Sequence, residues 1–322
     1  MSEDKKVMNE LKNLIYTQHS MKYNKCLWPK SDCTKDCIKA HSIQNSQILD
    51  QLATNNHLIM AVARLNLDTE PEIEFKEVGR NKATTFTGLC GEHDSQLFRP
   101  IDVNQFDSSN EEQKFLIAYR SILRELHTRM KSARDLQTTY LKSVELGKCD
   151  PNNMDKPMLE ATMTIAKSYD LYQYKQIYDN IYNSNSFTEV KHDYICIEKS
   201  CSLAVSSLFN PINNNAQNKR PETKFIVLNV FPHNKNTIIL LSYLTNHQKE
   251  LSSYANEIIN ATGEYQLYFL SKTILRYCEN FVISREHFGS FSSQKVDAIK
   301  KFYWETAKRS DYDDDNENLM LF

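Results

Sequence analysis

The chain has 322 residues, a net charge of −2, 25% charged and 40% hydrophobic side chains, the make-up of one large or two modest globular domains with no overall electrostatic pull on nucleic acid. Its 6 glycines form neither G-x-G-x-x-G nor G-x-x-x-x-G-K-[ST], which argues against dinucleotide and P-loop nucleotide chemistry. The charged opening Met1-Ser2-Glu3-Asp4-Lys5-Lys6 carries no apolar leader, and the longest apolar runs (residues 225–230 and 237–244) are too short to cross a bilayer, so the expectation is a cytoplasmic protein without a membrane partner, its 8 cysteines reduced and available to metal.

Taken in chain order, residues 1–20 predict a short helix with Val7, Leu11, Leu14 and Ile15 on one face. A polar loop with Trp28-Pro29 follows. Residues 42–53 predict a helix through Ile43, Ile48, Leu49 and Leu52. Residues 58–64 and 72–78 predict strands and 79–81 a turn, before Gly88-Leu89-Cys90 forms a knuckle. Ser109-Asn110-Glu111-Glu112 starts a long helix whose apolar positions (Phe115, Leu116, Tyr119, Ile122, Leu123, Leu126) recur at helical spacing until Gly147. Asp150-Pro151-Asn152-Asn153 marks a boundary, and residues 156–182 predict a second long helix whose tyrosines read as interhelix packing. Residues 187–196 alternate like a strand. Residues 224–231 and 237–244 flank a turn over 232–236 as a hairpin. Helices are expected over 248–261, 264–281 and 292–308, and residues 311–318 read as a frayed acidic tail. The class is α+β: a zinc-stapled finger-like module (1–105), a long-helix region (106–185), a small antiparallel sheet packed on helices (186–310) and an acidic tail (311–322).

The chemistry concentrates near the N-terminus. Cys26-x6-Cys33-x3-Cys37-x3-His41 is followed, after 48 intervening residues, by Cys90-x2-His93-Asp94. A closed structural zinc takes four Cys or His ligands, and gathering them from two chain segments lets metal stand in for core. The simplest site draws two ligands from Cys26, Cys33 and Cys37 and two from Cys90 and His93.

Three short stretches carry a resemblance: Lys39-Ala40-His41-Ser42-Ile43, Asn55-Asn56-His57-Leu58-Ile59-Met60, and Gly88-Leu89-Cys90-Gly91-Glu92-His93-Asp94 followed by Phe98. Over residues 22–102 the chain resembles the HNH (His-Me finger) nucleases. That resemblance implies His41 as general base and Asn56 as the residue holding its tautomer. It implies His93 or Asp94 as ligand of a catalytic Mg2+, Mn2+ or Zn2+, leaving Cys26, Cys33, Cys37 and Cys90 for a structural zinc. Lys35, Lys39, Arg80, Lys82 and Arg99 would then position a nucleic-acid backbone. It also implies a setting such as bacterial anti-phage defence. The chain departs from the pattern in Ser42, which intervenes before Ile43, and in the 27 residues between Met60 and Gly88. The same stretches also resemble bacterial proteins of unassigned role, in which His41 would be one more zinc ligand.

Elsewhere the signals are structural. Cys196-x4-Cys201 reads as packing, Arg285-Glu286-His287 as a helix cap, and Cys149 and Cys278 as solitary core thiols. Arg124 and His127 stand too close for the Arg-x4-6-His motif of helical RNases. Two functional expectations follow: a metal-dependent nuclease or phosphodiesterase, or a non-enzymatic zinc-stapled protein whose long helices receive a protein partner or a second copy. A polar pocket beside the helix over 264–281 would add small-molecule sensing. The two are told apart by whether His41 joins the zinc or stands free of it.

Overall fold

The computed structural model describes residues 3–64, 72–153, 156–211, 223–309 and 311–322. Residues 1 and 2 of the expected first helix, and the side chain of Val7, lie outside what is described. The helices are α1 (Glu3–Ser20), α2 (Asp50–Leu52, continuing a π-turn over Asn45–Leu49), α3 (Gly91–Asp102), α4 (Glu111–Glu145), α5 (Lys156–Ser184), α6 (Gln248–Asn260), α7 (Gly263–Tyr277), α8 (Arg285–Gly289) and α9 (Ser293–Lys308). The strands are β1 (Ala40–His41), β2 (His57–Arg64), β3 (Glu72–Gly79), β4 (Thr85–Phe86), β5 (Val190–Ile197), β6 (Leu203–Phe209), β7 (Ile226–His233), β8 (Asn236–Leu244) and β9 (Phe281–Ser284).

Seven strands form one antiparallel sheet in the order β3-β2-β9-β6-β7-β8-β5, and β1 pairs separately with β4. The alternation along β6, β7 and β8 divides two cores. Leu203, Val205, Leu228, Val230, Ile239 and Leu241 face α6, α7 and α9, while Leu208, Val227 and Leu244 face α4 and α5. Helices therefore cover both faces of the central strands, and the class is mixed α+β with a C-terminal antiparallel sheet.

The helix ends follow local chemistry. Asn110 caps α4 by accepting from Gln113 N–H, and Gly147, at φ +68°, takes the left-handed position that ends it. The β7–β8 hairpin closes on Asn234-Lys235 with φ of +49° and +65°, the paired left-handed geometry of a type I′ turn. Pro232, expected in the turn, sits inside β7 opposite Thr237.

Four expectations are corrected. Residues 45–49 form a π-turn in place of the first helical turns expected over 42–53. The helix expected to 281 stops at Tyr277, because the chain turns at Asn280 to supply β9. The sheet is not confined to residues beyond 186: β2 and β3 join it through β9, across the boundary expected at residue 105. Residues 311–322 are anchored rather than frayed. Lys272 binds Asp313 at 2.8 Å and Asp315 at 3.0 Å, Leu319 and Leu321 are fully buried, and Leu321 N–H donates to Ser271 Oγ at 2.9 Å. Leu321→Ala is expected to lower unfolding stability by about 2–5 kcal/mol, the range for a buried leucine truncation, as read by chemical denaturation.

Among the described residues, no helix is long and apolar enough to cross a membrane.

Candidate metal centre and histidine site

Two chain segments meet in the knuckle. Leu27 N–H donates to Gly88 C=O at 2.8 Å and Ile38 N–H to Leu89 C=O at 2.9 Å, so the first cysteine loop is laced to the 88–90 stretch by main chain. Gly88 permits this: a Cβ there would stand 2.6 Å from the Phe86 ring. Cys90 is the N-cap residue of α3, and Asp94 N–H returns to its carbonyl at 2.9 Å.

This lacing gathers Cys26, Cys33, Cys90 and His93, whose ligand atoms all lie within 4.8 Å of one another. Cys26 Sγ is 3.4 Å from His93 Nδ1, and Cys33 Sγ is 3.9 Å from Cys90 Sγ. A tetrahedral zinc with Zn–S of about 2.3 Å and Zn–N of about 2.0–2.1 Å has S···N edges of about 3.5 Å and S···S edges of about 3.8 Å. The set thus fits a metal ion such as zinc. Trp28 stacks on His93 at 4.3 Å and 4°, fixing the imidazole plane, and Cys26 and Cys90 are buried.

The structure separates the other expected ligands from this set. Cys37 lies opposite Cys90 across a β-bridge but is not one of the four, and neither are His41 and Asp94. His93, expected as an alternative ligand of a catalytic ion, is taken up by the cysteine cluster.

His41 ends β1, where Ala40 pairs with Phe86 and His41 with Thr85 of β4. β1, β4 and α3 thus follow one another as strand, strand and helix around the knuckle, the 43 residues 42–84 leaving and returning between the two strands. His41 Nδ1 lies 3.0 Å from Ala83 C=O; with its proton on Nδ1 the ring donates there, leaving Nε2 as the acceptor. The tautomer-holding role expected of Asn56 falls to this main-chain carbonyl. Asn56 sits instead in the turn before β2 at φ +60°, its own carbonyl accepting from Arg80 N–H at 2.7 Å. Burial pushes the His41 pKa down, as do the charges of Arg120 and Arg80, so the ring is neutral at pH 7.

Three residues that sequence reasoning missed complete this surrounding. Arg120 is buried, grips Asp102 through two hydrogen bonds of 2.8 and 2.7 Å, and lies over the Phe98 ring at 4.0 Å. Both members of this pair act electrostatically on His41 and on Asp94. Burial pushes the Asp94 carboxyl up against the pull of Arg120, and Asp94 Oδ1 and Arg120 Nε are buried without a hydrogen-bond partner among the described residues. Asn280, fully buried, donates to Ser42 Oγ at 2.9 Å and Ser206 C=O at 2.7 Å, so the residue after His41 is bolted to the central sheet. Among the expected cations, Lys35 pairs with Glu92 and Arg80 with Asp50, whereas Lys39, Lys82 and Arg99 are exposed.

His127 is a structural tie. Its Nε2 lies 2.6 Å from Tyr23 C=O, joining α4 to the cysteine loop. Burial lowers the pKa of His41 and His127 from 6.5, and that of His192 to about 3. As pH falls through 6.5 the unfolded chain takes up protons that the folded chain refuses. Stability from these groups is therefore complete above pH 6.5 and lost progressively below it. The expected result is a denaturation midpoint lower at pH 5 than at pH 7, read by urea titration at both.

The chain matches no protein-family model, no curated protein and no solved structure.

Proposed function

We propose that the chain is a metal-dependent nuclease or phosphodiesterase of the HNH-like kind, in which zinc on Cys26, Cys33, Cys90 and His93 staples a β1–β4–α3 finger and His41 is the general base. The observation that carries this reading is that His41 stands outside the four-ligand set, with Nδ1 turned to Ala83 C=O and Nε2 left to accept a proton. A neutral imidazole in that tautomer can take the proton of an attacking water. Asp94, one residue beyond the zinc ligand His93 and with an unpartnered oxygen, is the group suited to help hold a catalytic Mg2+ or Mn2+. Such an ion would supply charge stabilisation at the phosphate oxygens. Lys39, Lys82 and Arg99 supply exposed positive charge for a nucleic-acid backbone. The test is cleavage of single-stranded DNA, duplex DNA and RNA with Mg2+ or Mn2+. Cleavage of at least one substrate that stops with EDTA is expected; no cleavage of any sinks the reading.

A second reading, a zinc-stapled interaction or sensor protein, is favoured by exposed apolar residues along α5. Leu159, Met163, Ile165, Tyr169 and Tyr172 are each at least 40% exposed. A cavity of about 610 Å³ bordered by Glu125, Lys167, Phe225, Arg276 and Tyr303 is of ligand size. Light scattering that gives twice the chain mass would support the interaction role of α5.

A further inference from the structure

We propose that Cys37 and Cys90 form an oxidation site: peroxide links them in a disulfide, which removes Cys90 from the metal and switches the finger off. The inference rests on the reading that Cys26, Cys33, Cys90 and His93 hold zinc.

Cys37 and Cys90 are directly opposite in an antiparallel bridge. The neighbouring hydrogen bond runs from Ile38 N–H to Leu89 C=O, one residue beyond Cys37 and one before Cys90. The two cysteines therefore occupy a non-hydrogen-bonded position, where facing Cα atoms are about 4.5 Å apart and the side chains share one face. Disulfides span Cα separations of about 4.4–6.8 Å, a range that takes in the spacing of such facing positions. Cys37 belongs to no ligand set and is half-buried, so its sulfur is the member of the pair open to a molecule as small as hydrogen peroxide. Cys33 Sγ is a competitor at 3.9 Å from Cys90 Sγ, but it is itself a ligand and lies in a loop without strand pairing to Cys90.

The chemistry balances on one peroxide. The Cys37 sulfur attacks a peroxide oxygen, the O–O bond breaks, and hydroxide leaves and takes the Cys37 thiol proton as water, giving a sulfenic acid on Cys37. The Cys90 thiolate then attacks the Cys37 sulfur, and the sulfenyl oxygen leaves as hydroxide, which solvent protonates to a second water. Two sulfurs have lost two electrons, both taken by the peroxide. Cys26, Cys33 and His93 remain, one ligand short of a closed site. Asp94, whose N–H rests on the Cys90 carbonyl, then sits on a loosened helix start.

The test uses the whole metal-loaded protein and hydrogen peroxide, with zinc release followed by a chromogenic chelator and disulfides mapped on non-reduced tryptic peptides. The expected result is zinc release together with a dominant crosslink between the Asp36–Lys39 peptide and the peptide carrying Cys90. Cys37→Ser, which keeps all four ligands, should hold its zinc several-fold longer at the same peroxide concentration, with Cys149→Ser behaving as wild type. A dominant Cys33–Cys90 or Cys26–Cys33 crosslink, or equal zinc loss from Cys37→Ser, overturns the inference and leaves the zinc reading standing. A protein that carries no metal before oxidation removes the zinc reading and this inference with it.

Discussion

His41→Ala is expected to abolish phosphodiester cleavage while leaving the zinc and the fold in place. A positioned general base contributes about 10²–10⁴-fold to such a step, so kcat should fall by that order with little change in KM. The variant removes a half-buried ring whose hydrogen bond is to a main-chain carbonyl, and β1 keeps its pairing with β4. Thermal denaturation should thus move little. The wild-type pH profile carries a second signature. Burial and the nearby arginines hold the His41 pKa below 6.5, so kcat/KM should rise with an acid limb whose midpoint lies below 6.5 and stay flat through neutrality. A midpoint above 6.5, or an active His41→Ala, would assign the base elsewhere.

Cys90→Ala is expected to have the largest structural effect of any single change. It removes one of four ligands from a site whose core includes Trp28, Leu27 and Leu89, and it deletes the thiol at the N-cap residue of α3. Structural zinc in finger peptides is worth about 10–16 kcal/mol, comparable to the whole net stability of about 5–15 kcal/mol of a domain. Zinc should be lost and the cysteine loop should become protease-sensitive, while the central sheet, which has its own core between β6–β8 and α6, α7 and α9, holds. Cys37→Ala should keep full zinc. The contrast separates the four-ligand set from the five candidates (four thiols and His93) among which the sequence alone leaves the choice open.

How much was legible depends on the range of the interaction. The long helices declared themselves because Phe115, Tyr119, Ile122 and Leu126 recur at one helical period and Asn110 and Gly147 punctuate it. The β7–β8 hairpin was equally local. β6 was missed because Leu-Ala-Val-Ser-Ser-Leu-Phe is buried on both faces and shows no alternation. β9 was missed and its first residue, Phe281, was taken into α7, because Phe281-Val282-Ile283 follows that helix after only Cys278, Glu279 and Asn280. At the site, cysteine and histidine spacing exposed the metal cluster, and the Cys37-x3-His41 spacing with the resemblance around Ala40-His41 singled out His41. Arg120 looked like one more polar position on α4, and Asn280 lies 238 residues from the serine it holds. No local pattern announces a partner so distant. Asn56 was chosen by spacing from a resemblance, whereas the nitrogen it was to hold is satisfied by a carbonyl that any residue at position 83 would supply.

The central claim is that metal and base are separate, and it is tested most directly by the zinc-to-protein ratio of purified wild type and His41→Ala, measured side by side by mass spectrometry. One zinc per chain in both is the predicted result. Zinc lost from His41→Ala would make His41 a ligand and leave the proposed reaction without its base.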